Sequence, residues 1–256
     1  MKFKKPLLNL SLLLLSLIIL FGVFSLFESE FRFKTKHSRV VKEFGILIPK
    51  GNYIHGIDVS KHQGIIDWER VSEMCAHDIR IDFAFIKATE GITRTDHNFK
   101  KNWKGAGKNN IIRGAYHFYY PSRDAKKQAQ SFIEKVELIK GDLPPVIDIE
   151  LDNGRAKKTI VEDLKLMCNE LESHYGIKPI IYTNLHFYET YLKDDFNQYP
   201  LWISCYFDQK RFEKECDHKW TFWQHSEKGK VDGISGNVDF NVYNGTLTGL
   251  NKMRIK

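Results

Sequence analysis

Cysteine is scarce in this chain, with four among 256 residues, and none lies in a C-x-x-C pair or at a histidine spacing that holds zinc. No H-x-H or H-E-x-x-H is present, so His62 and His117 have no partner pattern for a metal and read as core or hydrogen-bonding residues. No G-x-G-x-x-G or G-x-x-x-x-G-K-[ST] follows any strand-like segment, which leaves nucleotide phosphates without a cradle. Internal repeats are missing, and low complexity is confined to one apolar run near the start. That run is followed by no small-x-small cleavage site.

The run itself is informative. "MKFKKP" is a basic flank, and residues 7–27 are uncharged and apolar. About 20 such residues span a bilayer, whereas the core of a signal peptide is about 7–15. The expectation is a membrane anchor with its lysines in the cytoplasm and the rest of the chain outside; a signal peptide with an unusually long core is the alternative. An extracytoplasmic site permits disulfides. Cys205 and Cys216 share one loop-rich segment and are candidates to pair, while Cys75 and Cys168 fall on expected helix faces as small buried hydrophobes. Net charge is +7. It points to an anionic wall polymer, membrane surface or nucleic acid, but much of the excess lies in the first 42 residues and suits topology as well as binding.

Four parts are expected: residues 1–28 as flank and anchor, 29–52 as a tether, 53–245 as one domain, and 246–256 as a basic tail. Within the domain, strand-like and helical segments alternate. "YIHGIDVS", "IDFAFIKATEG", "IIRGAYHFYY", "PPVIDIE" and "KPIIYTN" are each followed by a helical pattern, with Asp67 and Ser122 as expected caps and Gly176 as a stop. "PLWISCY", "KWTFWQHS" and "VDFNVYNG" then follow with little helix between them. The fold class is α/β: an irregular TIM-like barrel of about eight strands, five β/α units followed mostly by strands, behind a transmembrane helix. An open doubly wound sheet is the alternative.

In such barrels function sits at the carboxyl ends of the strands. Asp58, Asp148, Glu150, Glu90 and Asp239 fall there, as do Tyr116, Phe118, Tyr119, Tyr182, Trp202, Tyr206 and Trp223. Asp148 and Glu150 are the pointed observation. Side chains alternate along a strand, so both face one way, and burying two acids together is costly unless one keeps its proton. Aromatic rings stack on sugar faces, and two carboxyls can serve a glycosidic bond as acid and as base or nucleophile. The competing reading is a salt-bridged structural pair, with Lys87 or Arg113 as partner. Glu90 reads as a residue that orders its loop.

The combination "GIDVSKHQGIIDW", "FAFIKATEGI", "NWKGAGKNNIIRGAYHFYY", "PPVIDIE", "PIIYTN", "LWIS", "WQHS" and "GISGNVDFN" resembles glycoside hydrolase family 25, the Chalaropsis-type lysozymes or N-acetylmuramidases. The pieces stand in family order over nearly all of residues 54–242. The resemblance implies cleavage of the β-1,4 bond between N-acetylmuramic acid and N-acetylglucosamine in peptidoglycan. It implies Glu150 as general acid, Asp148 as its partner, Asp58 and Asp239 as further acids of the groove, and Tyr116, Phe118, Tyr182, Trp202 and Trp223 as sugar contacts. No metal and no cofactor are implied. The expected partners are peptidoglycan strands and, through the anchor, the membrane, with no nucleic acid and a monomeric chain. Arg94 stands where the family usually has an aromatic. A non-catalytic wall-binding module and a metal-dependent hydrolase are the competing functions.

Overall fold

The computed structural model describes Ser16 and residues 19–23, 38–216 and 218–256. The span expected at residues 7–27 lies largely outside them; its described part, Ser16 and residues 19–23, is helical. Among the described residues no helix is long and apolar enough to cross a membrane.

Residues 38–49, expected as tether, are instead a folded hairpin of β1 (Ser38–Val41) and β2 (Ile46–Pro49). Its apolar residues explain the difference: Val41, Phe44, Ile46 and Ile48 are buried in the main core, and Phe44 meets Phe240 edge-on with centroids 5.1 Å apart. The barrel begins with β3 (Ile54–Val59) and α1 (Trp68–Glu73), which Asp67 caps by accepting from the Arg70 amide. Two short strands follow, β4 (Cys75–Ala76) and β5 (Ile79–Arg80). Next come β6 (Phe83–Glu90), β7 (Arg94–Thr95), α2 (Phe99–Lys108), β8 (Ile112–Phe118) and α3 (Ala125–Ile133). The cap of α3 is Asp124, which accepts from the Lys127 amide, and not Ser122. After β9 (Val146–Asp148), α4 (Lys157–Tyr175) runs to Gly176, whose left-handed φ of 69° ends it. The chain closes with β10 (Ile180–Asn184), β11 (Leu201–Ser204), α5 (Gln209–Glu215), β12 (Phe222–Gly229), β13 (Val238–Tyr243) and α6 (Leu247–Lys252).

Eight of these strands close a barrel in the order β3-β13-β12-β11-β10-β9-β8-β6, with β6 returning to β3. All neighbours are parallel except β13, which is antiparallel to both β12 and β3. The late loss of helices in the sequence thus coincides with a reversed strand. Two thiols differ from expectation: no disulfide joins Cys205 to Cys216, and Cys75 is exposed on β4 because α1 stops before it.

Strand alternation sorts the apolar residues into two cores. One lies between barrel and helices; the other fills the barrel with Phe83, Phe85, Val146, Ile180, Trp202, Phe222 and their neighbours. Phe85 stacks on Trp202 at 4.3 Å, and the rings fit because Gly56 and Gly114 leave room beside Phe83 and Phe85. Leu250 of α6, in the segment expected as a tail, seals the amino-terminal end of the barrel. With that end plugged, only the opposite mouth is open to polar residues.

A Cβ on Gly56 would lie 2.5 Å from both the ring and the backbone oxygen of Phe83. Gly56→Ala is expected to cost about 1–3 kcal/mol through overpacking, read as a lowered urea midpoint with an unchanged slope. An unchanged midpoint would mean that the Phe83 ring moves freely.

Candidate active site

The inward positions at the carboxyl ends of the parallel strands are polar, where the same faces one layer down carry glycine or apolar residues such as Phe85, Val146 and Phe222. On β3 the inward residue is Asp58, and antiparallel β13 sets Asp239 directly opposite it in register. On β9 it is Asp148, with Glu150 two residues on. All four acids line one cavity of about 360 Å³, together with Lys87, Tyr116 and Phe118. Asp58 and Asp148 are each only 6% exposed.

Four carboxyls in such a space cannot all be charged, and the surroundings decide which are. Asp58 Oδ2 accepts from Gln224 Nε2 and Asn241 Nδ2, both at 2.8 Å. The two amides have fixed orientation. Gln224 Oε1 accepts from the Tyr182 hydroxyl at 2.9 Å and the Tyr206 hydroxyl at 2.8 Å, and Asn241 Oδ1 accepts from Trp202 Nε1 at 2.8 Å. Their nitrogens must therefore face Asp58. Burial pushes the Asp58 pKa up, and these donors oppose that shift by favouring the ionised form. Asp239 is pushed up to about 9 by burial first and then by the charge of Asp58, so at neutral pH it keeps its proton and donates it to Asp58.

The second pair repeats the arrangement. Burial lifts Asp148 well above the usual carboxylate range, and the charge of Glu150 adds to it. Glu150 is raised as well, by burial and then by Asp58. The two carboxyls influence each other's ionisation, so the pair titrates as a unit. Asp148 Oδ1 is buried with no hydrogen-bond partner in the protein.

Lys87 is the nearby cation, and it is committed elsewhere. Its Nζ lies 2.8 Å from Glu90 Oε2 and 4.8 Å from the centre of the Phe118 ring. Burial opposes the charge on Glu90, but Lys87, Tyr120 and Arg94 outweigh it and hold the pKa down at about 2. Glu90 is thus the fixed loop residue that its sequence position suggested. Arg113 pairs with Asp142 at 2.8 Å, away from the acids. His117 is sealed between Thr89 and Gln128, and burial lowers it to about 4, which leaves it neutral. His62 lines the cavity. Among the described residues no three His, Cys, Asp or Glu side chains are grouped to hold a metal ion.

The expected aromatics divide three ways. Tyr116 and Phe118 stand half-buried at the cavity wall. Tyr182 and Trp202 form its floor and hold the amides. Trp223 is elsewhere: Phe222 and Gln224 point into the barrel, so Trp223 points out, 1% exposed, stacked at 4.1 Å on Phe212 and donating to the Cys205 carbonyl. Sequence reasoning missed Gln224 and Asn241 as site residues. The signal was the two-residue period itself, since Gln224 shares a face with Phe222 and Asn241 with Asp239. It also left Tyr206, 52% exposed at the mouth, outside the site.

Residues 57–234 match the family described as glycosyl hydrolases family 25. The chain is 46% identical over 209 residues to the uncharacterized protein YegX of Escherichia coli K12, covering 82% of this chain and 76% of that protein. It is 32% identical over 211 residues to lysozyme M1 of Streptomyces globisporus, covering 77% and 70%. The structure of a family 25 glycosyl hydrolase from Bacillus anthracis superposes with a TM-score of 0.72 at 34% identity, over 85% of this chain and 97% of that one.

Because Asp239 holds its proton up to about pH 9 in the folded state and releases it at about 4 when unfolded, its contribution to stability is full below that lower value and is lost as pH rises through the upper one. Asp239→Asn is therefore expected to stabilise the fold more at about pH 8 than at about pH 4, measured as urea midpoints. Equal effects at both values would mean that Asp239 ionises normally.

Proposed function

The chain belongs to glycosyl hydrolase family 25, and from that membership we propose that it is a muramidase, hydrolysing the β-1,4 bond between N-acetylmuramic acid and N-acetylglucosamine in peptidoglycan. The observation that carries this reading is the gathering of Asp58, Asp148, Glu150 and Asp239 with Tyr116 and Phe118 in one cavity at the open mouth of the barrel.

The closeness of the pair bears on mechanism. An inverting pair stands about 6.5–9.5 Å apart to admit water, and a retaining acid and nucleophile about 5–5.5 Å apart. Asp148 and Glu150 stand two residues apart on one face and line one cavity, each ionising at a cost set by its neighbours. They suit a route in which the substrate's own N-acetyl oxygen attacks the anomeric carbon. In that route the acetamido N–H donates to the Asp148 carboxyl, which lines the cavity. Receiving a donor favours the ionised form of Asp148, so its proton passes to Glu150. Glu150 then protonates the glycosidic oxygen as the C–O bond breaks and the acetamido oxygen bonds to carbon. Water, deprotonated by the Glu150 carboxylate, opens the resulting ring and restores both groups. Asp58, whose charged form is favoured by two amide donors, faces the positive charge that develops, and Tyr116 and Phe118 offer faces for the sugar rings.

Peptidoglycan lies outside the cytoplasm. The basic flank and the apolar run of residues 7–27 supply the export segment, and in uncleaved form the anchor, that this reading requires.

Glu150→Gln in the full chain is expected to lower turnover of purified peptidoglycan by at least about 10²-fold, with new reducing N-acetylmuramic acid ends released by the wild type alone. Near-normal turnover would remove Glu150 as the acid. If neither protein releases product while both retain the glycan, the protein is a wall-binding module. Asp148→Asn is expected to fall by a comparable factor, about 10²-fold, because its amide has no acidic proton to pass to Glu150 and no charge to offer the acetamido group.

A further inference from the structure

A second cavity, about 620 Å³, adjoins the carboxylate cavity and is larger than it. Tyr206 and Glu227 line both. One wall is the β1–β2 hairpin, which precedes the residues matched by the family. The hairpin is firmly seated. The Lys50 amide donates to Gln209 Oε1 at 2.8 Å, Gln209 Nε2 donates back to the Lys50 carbonyl at 2.9 Å, and the Lys230 amide donates to the Phe44 carbonyl at 2.9 Å. The opposite wall is the start of α5, where the Arg211 guanidinium lies 3.7 Å over the Phe207 ring.

Two features of the lining point to the kind of ligand. The first is backbone. Among the described residues β2 pairs only with β1, and β11 stops in register with Gln224, so β12 beyond that residue pairs only with β13. Ile46 and Leu47 from β2, and Ser226 to Lys228 from β12, all line the cavity. A strand with one unpaired edge offers alternating N–H and C=O groups to an extended peptide. The second is charge. Lys228 and Glu227 line the cavity beside Arg211, whose Nε is paired with Glu215 at 2.8 Å, and Asp208, whose side chain accepts from the Arg211 amide, a mixed set that suits a ligand carrying both carboxylates and an amine. Sugars carry neither backbone amides in series nor such charges.

We propose that this cavity binds the stem peptide attached to the lactyl group of N-acetylmuramic acid, as an extended chain leading away from the carboxylates past Tyr206. The inference rests on the muramidase reading for what lies in the neighbouring cavity, and it adds a determinant of substrate choice one wall of which, the β1–β2 hairpin, lies outside the region matched by the family.

The test compares intact peptidoglycan with glycan strands stripped of their stems by an amidase, using the full chain. Leu47→Trp fills the cavity, and Arg211→Ala removes a charge at its surface with little risk to folding. Each is expected to lower kcat/KM on stem-bearing peptidoglycan about tenfold, as two lost hydrogen bonds would, and to leave stripped strands unchanged. Equal losses on both substrates, or no loss on either, would overturn the proposal. The full-length Glu150→Gln protein is titrated in parallel with a free stem peptide of alternating L and D residues. Saturable binding that Arg211→Ala weakens supports the site even if no substrate is cleaved, in which case only the muramidase reading fails. Absence of saturable binding overturns the site whatever the hydrolysis result.

Discussion

Everything at the mouth of this barrel follows from placing four carboxyl groups where water is scarce. A buried carboxylate must find donors or keep its proton, and this protein applies both remedies in alternation. Asp58 receives two amide donors that favour its charged form against burial, and Asp239 is pushed up to about 9 beside it. Asp148 and Glu150 influence each other's ionisation. The site is consequently poised near neutrality, with protons held beside charges that can accept them, and no cation is required in contact with the reacting pair.

The aromatic layer beneath makes that arrangement durable. Trp202 stacks on Phe85 with one face of its environment and donates to Asn241 with its indole N–H. Tyr182 has its ring in the barrel core and its hydroxyl on Gln224. Each is a joint between the apolar plug and the polar mouth, so the amides that hold Asp58 are anchored in close-packed rings instead of mobile loops. Loss of either hydroxyl or indole donor would free an amide to turn its oxygen toward Asp58, which explains why packing and electrostatics are inseparable here.

Much of this was legible before any coordinates. Alternation along "VIDIE" put Asp148 and Glu150 on one face, and the rhythm of strands and helices led to a barrel that becomes irregular late. What escaped has definite physical causes. Trp223 was misjudged because aromatic type was weighed above strand parity, and parity decided. Gln224 and Asn241 carry no reactive chemistry, so they became visible only through the hydroxyls and the indole that orient them. The hairpin at residues 38–49 was hidden by its charged flank, although the buried Phe44, Ile46 and Ile48 were readable as an apolar cluster in search of a surface. The cap of α3 moved from Ser122 to Asp124 because two oxygens two residues apart compete for the same role, and sequence alone does not rank them.

The reversed strand β13 has a further consequence, in the timing of synthesis. It is the last barrel strand to be made, and it alone brings Asp239 and Asn241 to Asp58 while closing the sheet on both sides. Until it is in place the other seven strands have an open seam, and Asp58 lacks one of its amides and the proton of its partner. A chain without β13 therefore has its acid pair but no finished pocket, and the site is complete only when the last barrel strand is in place.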